Sequence, residues 1–299
     1  MSDSLAQQLS NDLASAATRT APSLLLLRGR RGRAASGTVI DPQSFLVSDH
    51  LLDADEEVRA RTADGEIAAR IIGRDAGTDL ALLQVEGGTL SPVTFAADPV
   101  RIGEIVLAVG RTWTGPVAHP GFVTHLSGPH QVSPGFRLEQ AIHTSLDPFS
   151  GFSGGALLNV RSEVVGVSTS ALDRGHGLAI PARDVTRVTD SLRRHGRLRR
   201  GYLGILSLRV ALPERQRQGA GERGLVVTSI APGSPADKAQ LLIGDVILAI
   251  DDTTAVRPDD LAGYLSADRV GQHAALRVLR GTSPVQLDVT IGERTSDVR

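Results

Sequence analysis

The sequence predicts a mainly β protein of two domains, and three observations support this fold class. The chain has 299 residues, more than one typical domain uses and enough for two. Its apolar stretches are short and separated by Gly, Pro and Asp, a pattern typical of many short strands joined by turns. Long helices do not alternate with these stretches, which disfavours a sheet built from strand–helix–strand units. We therefore expect an all-β sandwich or a pair of barrels, with further strands resuming at Gly201.

Two longer segments depart from the strand pattern and predict helices. Residues 3–18 carry apolar side chains at helical spacing, and Pro22 ends the segment. Residues 182–195 repeat that spacing, and Gly196 is a suitable helix stop.

The predicted order of parts is an N-terminal helical segment at 1–22, a first domain at 23–198, a second at 199–293 and a tail at 294–299. The basic stretch 197–200 lies at the boundary between the domains. A nucleic-acid patch and a solvated hinge both fit such a stretch. The hinge is the preferred interpretation because the whole chain has a net charge of −1, so no nucleic-acid partner is expected.

Composition excludes several kinds of chemistry. The chain has no cysteine, which rules out disulfides, thiolate nucleophiles and Cys-bound zinc. We find no metal-ligand cluster and no phosphate-binding loop in the sequence, so neither a metal nor another cofactor is expected. The apolar run at 24–27 is too short for a signal peptide core or a membrane span. A cytoplasmic location is expected from the sequence as it stands, with a periplasmic or exported location as the alternative if a signal has been removed.

The sharpest motif is Gly151-Phe152-Ser153-Gly154-Gly155. Small residues around a serine suit a nucleophile on a tight turn that substrate must approach closely. Such a turn also points the backbone N–H groups of Gly151 and Ser153 at one place, where they could stabilise an oxyanion. By itself this string is a weak motif, because Gly/Ser turns are common.

A nucleophilic serine needs a base, and that base needs an orienting acid. His50 follows an apolar run and would suit the rim of a barrel. Asp79 opens another apolar run, where it is either a turn former or a partly buried acid. The order His, Asp, Ser along the chain is that of chymotrypsin.

With these three segments in place, the chain resembles the HtrA/Deg family of serine proteases over residues 20–290. Matching stretches surround each triad residue: Val47-Ser48-Asp49-His50-Leu51-Leu52, Thr78-Asp79-Leu80-Ala81-Leu82-Leu83 and Gly151-Phe152-Ser153-Gly154-Gly155-Ala156-Leu157. The resemblance implies a chymotrypsin-like double β-barrel followed by a small PDZ domain. It also implies that His50 is the general base, Asp79 its orienting acid and Ser153 the acylated nucleophile of an endopeptidase acting on unfolded or damaged proteins. The alternative is a catalytically silent scaffold that binds peptides.

The chain departs from this family pattern beside the nucleophile. Phe152 stands where Asn is usual, which puts the resting form of the oxyanion turn in question. Asp147 lies six positions before the serine, where trypsin-like enzymes carry the carboxylate that selects Arg or Lys. With Ser168 and Thr169 it forms the predicted specificity pocket; the alternative is an aspartate that caps a loop. Trp113 is interpreted as a core-filling residue rather than a surface lid.

A second motif opens the C-terminal domain. Tyr202-Leu203-Gly204-Ile205 resembles the loop with which PDZ domains hold a peptide's terminal carboxylate through backbone N–H groups. Short helices are predicted near 235–240 and 258–266, and the second of these would flank the peptide groove. Gln240 replaces the usual glycine of the motif, which could shift the end of the first helix. The expected partners are polypeptide substrates, peptide C-termini at the PDZ domain and, by the family resemblance, two further copies in a homotrimer.

Overall fold

The structure is a computed structural model that describes residues 4–29, 32–52, 57–128, 130–133, 136–138, 140–147, 151–172, 177–217 and 221–294. The chain divides into two compact units, and apart from residues 133–137 the division falls after Leu198. The first unit contains two closed barrels, and the second contains an open sheet with short helices. The mainly β prediction is confirmed. The exact domain bounds stay a prediction.

The first barrel has the strand order β1-β2-β3-β6-β5-β4, closed by pairing of β1 with β4. Alternate residues along β3 and β6 point inward, so Phe45, Val47, Ala81 and Leu83 share one buried cluster. Its strands are β1 (Leu24–Arg28), β2 (Ala34–Asp41), β3 (Ser44–Ser48), β4 (Glu57–Arg61), β5 (Glu66–Asp75) and β6 (Leu80–Val85).

The second barrel has the order β11-β14-β13-β12-β7-β8, closed by β8 and β11. Leu157 of β12 belongs to the barrel core, whereas its neighbours Ala156 and Leu158 pack outward into a cluster with Leu24. Both faces of β12 are thus buried, which explains its uninterrupted apolar run. The strands are β7 (Ile105–Thr112), β8 (Gly115–Ser127), β11 (Ala141–Thr144), β12 (Ala156–Leu158), β13 (Val164–Thr169) and β14 (Gly177–Pro181), with the pair β9 (His130–Ser133) and β10 (Phe136–Leu138) beside them in sequence.

Both longer predicted helices are present. Helix α1 (Leu5–Thr20) begins at Ser4, whose hydroxyl accepts a hydrogen bond from the Gln7 N–H, and it ends before Pro22. Helix α2 (Ala182–His195) ends at Gly196, which has a φ of 69° and stops the helix as predicted. The apolar face of α2 is buried, with Val188 and Leu192 fully covered.

The interpretation of Trp113 as core filler is wrong. This side chain is 51% exposed and lies in the tight connection between β7 and β8. The register of these two strands pairs Thr112 with Gly115, so the connection is only two residues long. A turn that short points its side chains into solvent, and the apolar character of tryptophan did not reveal this.

The second unit has a sheet of order β16-β17-β18-β20-β21, with β19 beside β18 and a separate pair of β15 and β22. Helices α4 and α5 confirm the two predicted short helices. Gln240 adopts a φ of 58°, the left-handed conformation that a glycine would favour, two residues after α4 ends. The elements are β15 (Gly201–Tyr202), β16 (Ile205–Ala211), α3 (Glu214–Arg217), β17 (Arg223–Ile230), α4 (Pro235–Lys238), β18 (Val246–Ile250), β19 (Thr253–Thr254), α5 (Pro258–Tyr264), β20 (His273–Arg280), β21 (Ser283–Thr290) and β22 (Gly292–Glu293).

Candidate active site

His50 and Asp79 meet at one end of the first barrel. His50 lies in a single helical turn (Asp49–Leu51) directly after β3, and Asp79 immediately precedes β6, which pairs with β3. The His50 Nδ1 atom is 2.8 Å and 2.9 Å from the two Asp79 carboxylate oxygens. The His50 backbone N–H also donates to Asp79 Oδ1 at 2.9 Å. This arrangement leaves Nε2 as the ring nitrogen directed away from the acid.

The Asp79 carboxylate is buried and supported on its other side. Only 1% of the residue is exposed, and the Thr169 hydroxyl donates to its Oδ2 atom at 2.5 Å. Asp79 has a φ of 56°, an uncommon left-handed conformation for a residue with a side chain. Its carbonyl oxygen accepts from the Asp49 N–H, which fixes the backbone around His50. A buried carboxylate held by several donors can orient a histidine ring without moving itself.

Ser153 lies on a turn that the first barrel clamps from outside. Ser36 of β2 is fully buried, and its hydroxyl donates to the Gly151 carbonyl at 2.5 Å while accepting from the Arg111 N–H at 2.8 Å. Two positions along β2, the Thr38 hydroxyl donates to the Gly154 carbonyl at 2.8 Å. The two hydroxyls therefore fix the backbone on both sides of the serine.

The turn has the backbone shape expected around a nucleophile. Gly151 and Gly154 have φ values of 99° and 83°. A Cβ atom on Gly154 would lie 2.1 Å from the Ser36 carbonyl oxygen, so only glycine fits there. Neither Gly151 nor Ser153 donates its N–H to another residue in the part of the chain that the structure describes. As far as the described residues show, both N–H groups are open to a ligand oxygen.

The Ser153 hydroxyl is directed toward a residue that the sequence motifs did not single out. Its Oγ atom lies 2.9 Å from Ser170 Oγ. Within the described residues, no hydrogen bond joins Ser153 Oγ to His50 Nε2. Ser170 lies outside all matched motifs and directly follows β13, so only its position after Thr169 could have indicated it.

A cavity of about 30 Å³ opens beside Ser153 and contains all three residues of the predicted specificity pocket, Asp147, Ser168 and Thr169, in its wall. The rest of the wall is largely apolar and includes Leu146 and Leu178. The Asp147 side chain is exposed, and the Thr169 hydroxyl is engaged with Asp79. The structure thus brings the three residues together around one cavity. Thr169 also donates a hydrogen bond to Asp79, outside the predicted pocket.

Phe152 does not extend over the oxyanion turn. Its ring packs against the core of the second barrel and lines the same cavity. Its backbone carbonyl accepts from the Gly155 N–H at 2.8 Å, which closes the turn. The large apolar side chain therefore anchors the turn to the barrel, which the sequence could not establish.

In the second unit, the four residues of the predicted carboxylate loop line one groove of about 520 Å³. Leu261 and Leu265 of the α5 region form its other wall. Strand β16 is the edge of the sheet, and its Leu206 side chain is 67% exposed. The loop N–H groups of Leu203 and Gly204 donate to no other described residue. The loop residues that meet here are Tyr202, Leu203, Gly204 and Ile205.

Helix α5 is tied to the sheet by Tyr264. Its hydroxyl donates to Asp251 Oδ2, and the other Asp251 oxygen accepts from the Ala275 N–H at 2.8 Å. The Tyr264 bond, followed by that of Ala275, holds the pKa of Asp251 below its ordinary value. Burial, and then the bond to Asp251, raises the pKa of Tyr264 to about 12.

Among the residues that the structure describes, no group of three or more His, Asp or Glu side chains is placed to hold a metal ion. None of the described helices is long and apolar enough to cross a membrane.

Two closed barrels that contribute His and Asp from one side and Ser from the other define the chymotrypsin class of fold and site. Comparison with known protein families gives the same class for the first unit and a PDZ domain for the second. Residues 35–167 match the trypsin-like peptidase domain family, and residues 194–291 match the PDZ domain family.

Relatives cover most of the chain. It is 30% identical over 287 residues to a probable periplasmic serine endoprotease, DegP-like, of Ectopseudomonas mendocina, covering 92% of this chain and 60% of the relative. It is 29% identical to the serine endoprotease DegS of Escherichia coli, covering 86% of this chain and 76% of the relative. The solved structure of the HtrA-type protease AlgW with a decapeptide superimposes with a TM-score of 0.78 at 26% identity, covering 95% of this chain and 99% of that one.

The chain belongs to the HtrA family of serine endoproteases that carry a PDZ domain. It spans about 60% of the length of the DegP-like relatives.

Proposed function

We propose that this protein is a serine endopeptidase whose triad is His50, Asp79 and Ser153. The observation that carries the proposal is the hydrogen bonding of His50 Nδ1 to a buried carboxylate that Thr169 also supports. That contact fixes the imidazole tautomer with its proton on Nδ1, so Nε2 can accept a proton. A serine on a glycine-rich turn at the neighbouring barrel supplies the nucleophile.

The reaction follows from these atoms. As Ser153 Oγ bonds to the carbonyl carbon of the peptide, its proton passes to His50 Nε2. The negative charge that develops on the carbonyl oxygen is stabilised by the N–H groups of Gly151 and Ser153. His50 then returns the proton to the leaving amine, the C–N bond breaks and an acyl-enzyme remains. Water then loses a proton to His50 as its oxygen bonds to the acyl carbon. The ester bond between that carbon and Ser153 Oγ breaks, the acid product leaves, and His50 returns the proton to Ser153 Oγ.

The cavity beside Ser153 is proposed to take the side chain that precedes the scissile bond. A volume of about 30 Å³ with apolar walls suits a small apolar side chain. The alternative, selection of Arg or Lys by Asp147, is less favoured because that carboxylate is exposed to solvent, where its attraction for a cation is screened. Profiling with a peptide library decides between them: the Asp147 alternative requires a preference for Arg or Lys that disappears in Asp147→Asn.

The second unit is proposed to bind the C-termini of polypeptides. The open N–H groups of Leu203 and Gly204 suit a carboxylate, and the edge strand β16 can accept a peptide as an added strand. The related protease AlgW has been solved with a decapeptide, which supports peptide binding by this family. Unfolded or damaged proteins, which expose chain ends and extended segments, are the proposed substrates.

A homotrimer is proposed through helix α1. Its Leu5 and Leu9 are 85% and 37% exposed, whereas Leu13 and Ala17 of the same stripe pack on the second barrel. An apolar stripe that continues past its own barrel can be covered by another copy. Sedimentation of the full chain gives the oligomeric state, and Leu5→Asp with Leu9→Asp should shift it to monomer.

The location in the cell is a separate proposal. A cytoplasmic location stays the prediction from the sequence. The DegP-like relatives are named as probable periplasmic proteases, which supports the exported alternative. Cell fractionation with an antibody against the chain distinguishes them.

Labelling with a fluorophosphonate probe tests the enzymatic proposal directly. Ser153 should be labelled in the wild-type chain, and Ser153→Ala should lose both labelling and peptide cleavage while keeping its thermal unfolding transition. Loss of labelling in His50→Ala identifies the base. A wild-type chain that is never labelled, even with a C-terminal peptide in the groove, would be a silent scaffold, which none of the comparisons indicates.

A further inference from the structure

The hydroxyl of the nucleophile has a partner outside the triad. Ser153 Oγ and Ser170 Oγ lie 2.9 Å apart, within the range of a good O–H···O hydrogen bond. Ser153 is only 9% exposed, so water competes poorly for its hydroxyl. A buried hydroxyl is almost always paired, and here its described partner is Ser170 rather than His50.

Either direction of this bond opposes the transfer of a proton to His50. If Ser153 is the donor, its single proton points at Ser170 and away from Nε2. If Ser170 is the donor, it occupies a lone pair of the oxygen that must attack and lowers its nucleophilicity. If Ser153 is the donor, this bond must break before its proton can pass to His50.

The end of strand β13, next to Ser170, also contacts Asp79, the proposed acid of the triad. Thr169, the last residue of β13, donates its hydroxyl to Asp79, and Ser170 follows it directly. The Thr169 hydroxyl also accepts from the Ala171 N–H at 3.2 Å, which fixes the backbone on which Ser170 lies. Two consecutive side chains thus hold the acid and the nucleophile. Among the described residues, the His50 imidazole is hydrogen-bonded only to the acid.

We propose that Ser170 is a positioning residue that holds the Ser153 hydroxyl in a resting orientation, away from His50, until substrate occupies the site. Ser170 lines the cavity proposed for the side chain before the scissile bond. A substrate side chain entering there reaches Ser170 and can break its bond to Ser153. The inference rests on the proposed endopeptidase function, and it adds a resting state controlled from within the substrate site.

The test measures fluorophosphonate acylation of Ser153 in the full chain with wild type, Ser170→Ala and Ser170→Thr. A small probe leaves the cavity largely empty, so the resting bond opposes its reaction. Removing the Ser170 hydroxyl should raise the limiting acylation rate constant by about 2- to 12-fold, the range of one net hydrogen bond. The half-saturating probe concentration should not change. Ser170→Thr keeps a hydroxyl and should stay near the wild-type rate.

A second readout separates positioning from general loosening. A peptide substrate whose side chain fills the cavity displaces Ser170 by itself, so Ser170→Ala should raise kcat for that peptide much less than it raises probe acylation. Ser91→Ala, an exposed serine in the loop after β6, is the matched control and should leave both rates unchanged. Equal thermal unfolding of all variants excludes a folding effect.

The possible outcomes are distinct. Labelling in none of the chains, wild type included, refutes the endopeptidase proposal and this one with it. Labelling of the wild type with an unchanged or lower rate in Ser170→Ala refutes the resting bond alone. A rise that Ser170→Thr shares equally would also overturn it, because the hydroxyl would then be irrelevant.

Discussion

Two loops in this chain contain a glycine in the same left-handed conformation and differ in how they are held. Gly154, beside the nucleophile, and Gly204, in the carboxylate loop, have φ values of 83° and 84°. Each leaves backbone N–H groups nearby for a ligand oxygen. At Gly154 an added Cβ would meet the backbone carbonyl of Ser36 at 2.1 Å, whereas at Gly204 it would meet the Ser234 side-chain Cβ at 2.2 Å.

The difference agrees with the role proposed for each loop. The turn at Ser153 is proposed to keep donors in place for a short-lived charge, and buried hydroxyls from β2 fix its backbone. The loop at Gly204 is proposed to admit a peptide end. Its Gly204 carbonyl accepts from the Ala231 N–H at 2.8 Å, and the Ser234 side chain, which caps α4, lies where a Cβ on Gly204 would be. Side-chain hydroxyls thus hold the backbone of the proposed catalytic turn, whereas backbone hydrogen bonds hold the Gly204 loop and a side chain packs against it.

Replacing Gly154 should have the largest effect. Gly154→Ala places a Cβ atom against the fixed Ser36 carbonyl and also imposes a left-handed conformation on alanine. Overpacking and strain together should cost about 3–5 kcal/mol of unfolding free energy and abolish Ser153 labelling. Ser36→Gly added to this variant cannot restore it, because the clashing atom is a backbone oxygen. Chemical denaturation and probe labelling measure both effects, and a double variant that recovers would contradict the backbone clash.

Gly204→Ala should affect only the second unit and should be partly reversible. It should weaken binding of a C-terminal peptide by at least about tenfold, the effect of roughly 1.4 kcal/mol, and leave Ser153 labelling without peptide unchanged. Adding Ser234→Gly removes the atoms at 2.2 Å and 2.6 Å and should recover part of the affinity. The remaining loss of about 1 kcal/mol reflects the left-handed alanine. Titration of a fluorescent peptide measures the three variants, and the absence of any recovery would place the fault elsewhere.

Removing the hydroxyls of Ser36 and Thr38, which hold the turn at Ser153, should have the next largest effect. Ser36→Ala leaves the Gly151 carbonyl and the Arg111 N–H without their buried partner and should cost about 1–3 kcal/mol. It should also lower kcat, because the turn that carries the oxyanion donors loses a fixed point. Thr38→Val, which removes the similar bond to Gly154, is the matched variant of nearly equal volume. Full kcat in both variants would show that the clamp stabilises the fold without shaping the site.

Sequence reasoning reached the parts of this molecule that depend on local patterns. The strands, both longer helices and the Gly196 stop follow from periodicity and glycine placement. His50, Asp79 and Ser153 are predicted as a triad because each lies in a motif; the fold places His50 against Asp79, and their catalytic role stays a prediction. The structure also gathers Asp147, Ser168 and Thr169 around one cavity, although their role there is still a prediction.

The rest could not be predicted because it depends on contacts between distant segments. Ser36 and Ser153 are far apart in the chain, and nothing in the local sequence around Ser36 indicates that its hydroxyl clamps the catalytic turn. The same holds for Thr169 with Asp79 and for Ser170 with Ser153. The sequence puts the turn at Phe152 in question, yet the Phe152 ring packs against the second barrel core. Trp113 shows the converse, an apolar residue placed in solvent by a two-residue turn.

The smallest expected effect comes from breaking the hydrogen bond between Tyr264 and Asp251 in the second unit, and it is read from the pH dependence of stability. Tyr264→Phe removes the bond to Asp251 and should cost about 1 kcal/mol at neutral pH. Because the pKa of Asp251 is lowered in the folded chain, its contribution is present above the ordinary value of 3.8 and is lost as the pH falls through the lower folded value. Because the pKa of Tyr264 is raised from 10.0 to about 12, its contribution is complete below pH 10 and is lost between 10 and 12.

Tyr264→Phe should therefore lose the alkaline decrease of stability that belongs to Tyr264 and weaken the acid one. Urea unfolding of the full chain across pH, followed through the transition of the second unit, measures this. Tyr202→Phe is the control at neutral pH, since no described residue hydrogen-bonds its hydroxyl, and its stability should match the wild type. If the two variants lost equal stability, the Tyr264–Asp251 bond would contribute nothing. Helix α5, which forms one wall of the groove, would then depend on packing alone, and its contrast with the hydrogen-bonded turn at Ser153 would become sharper.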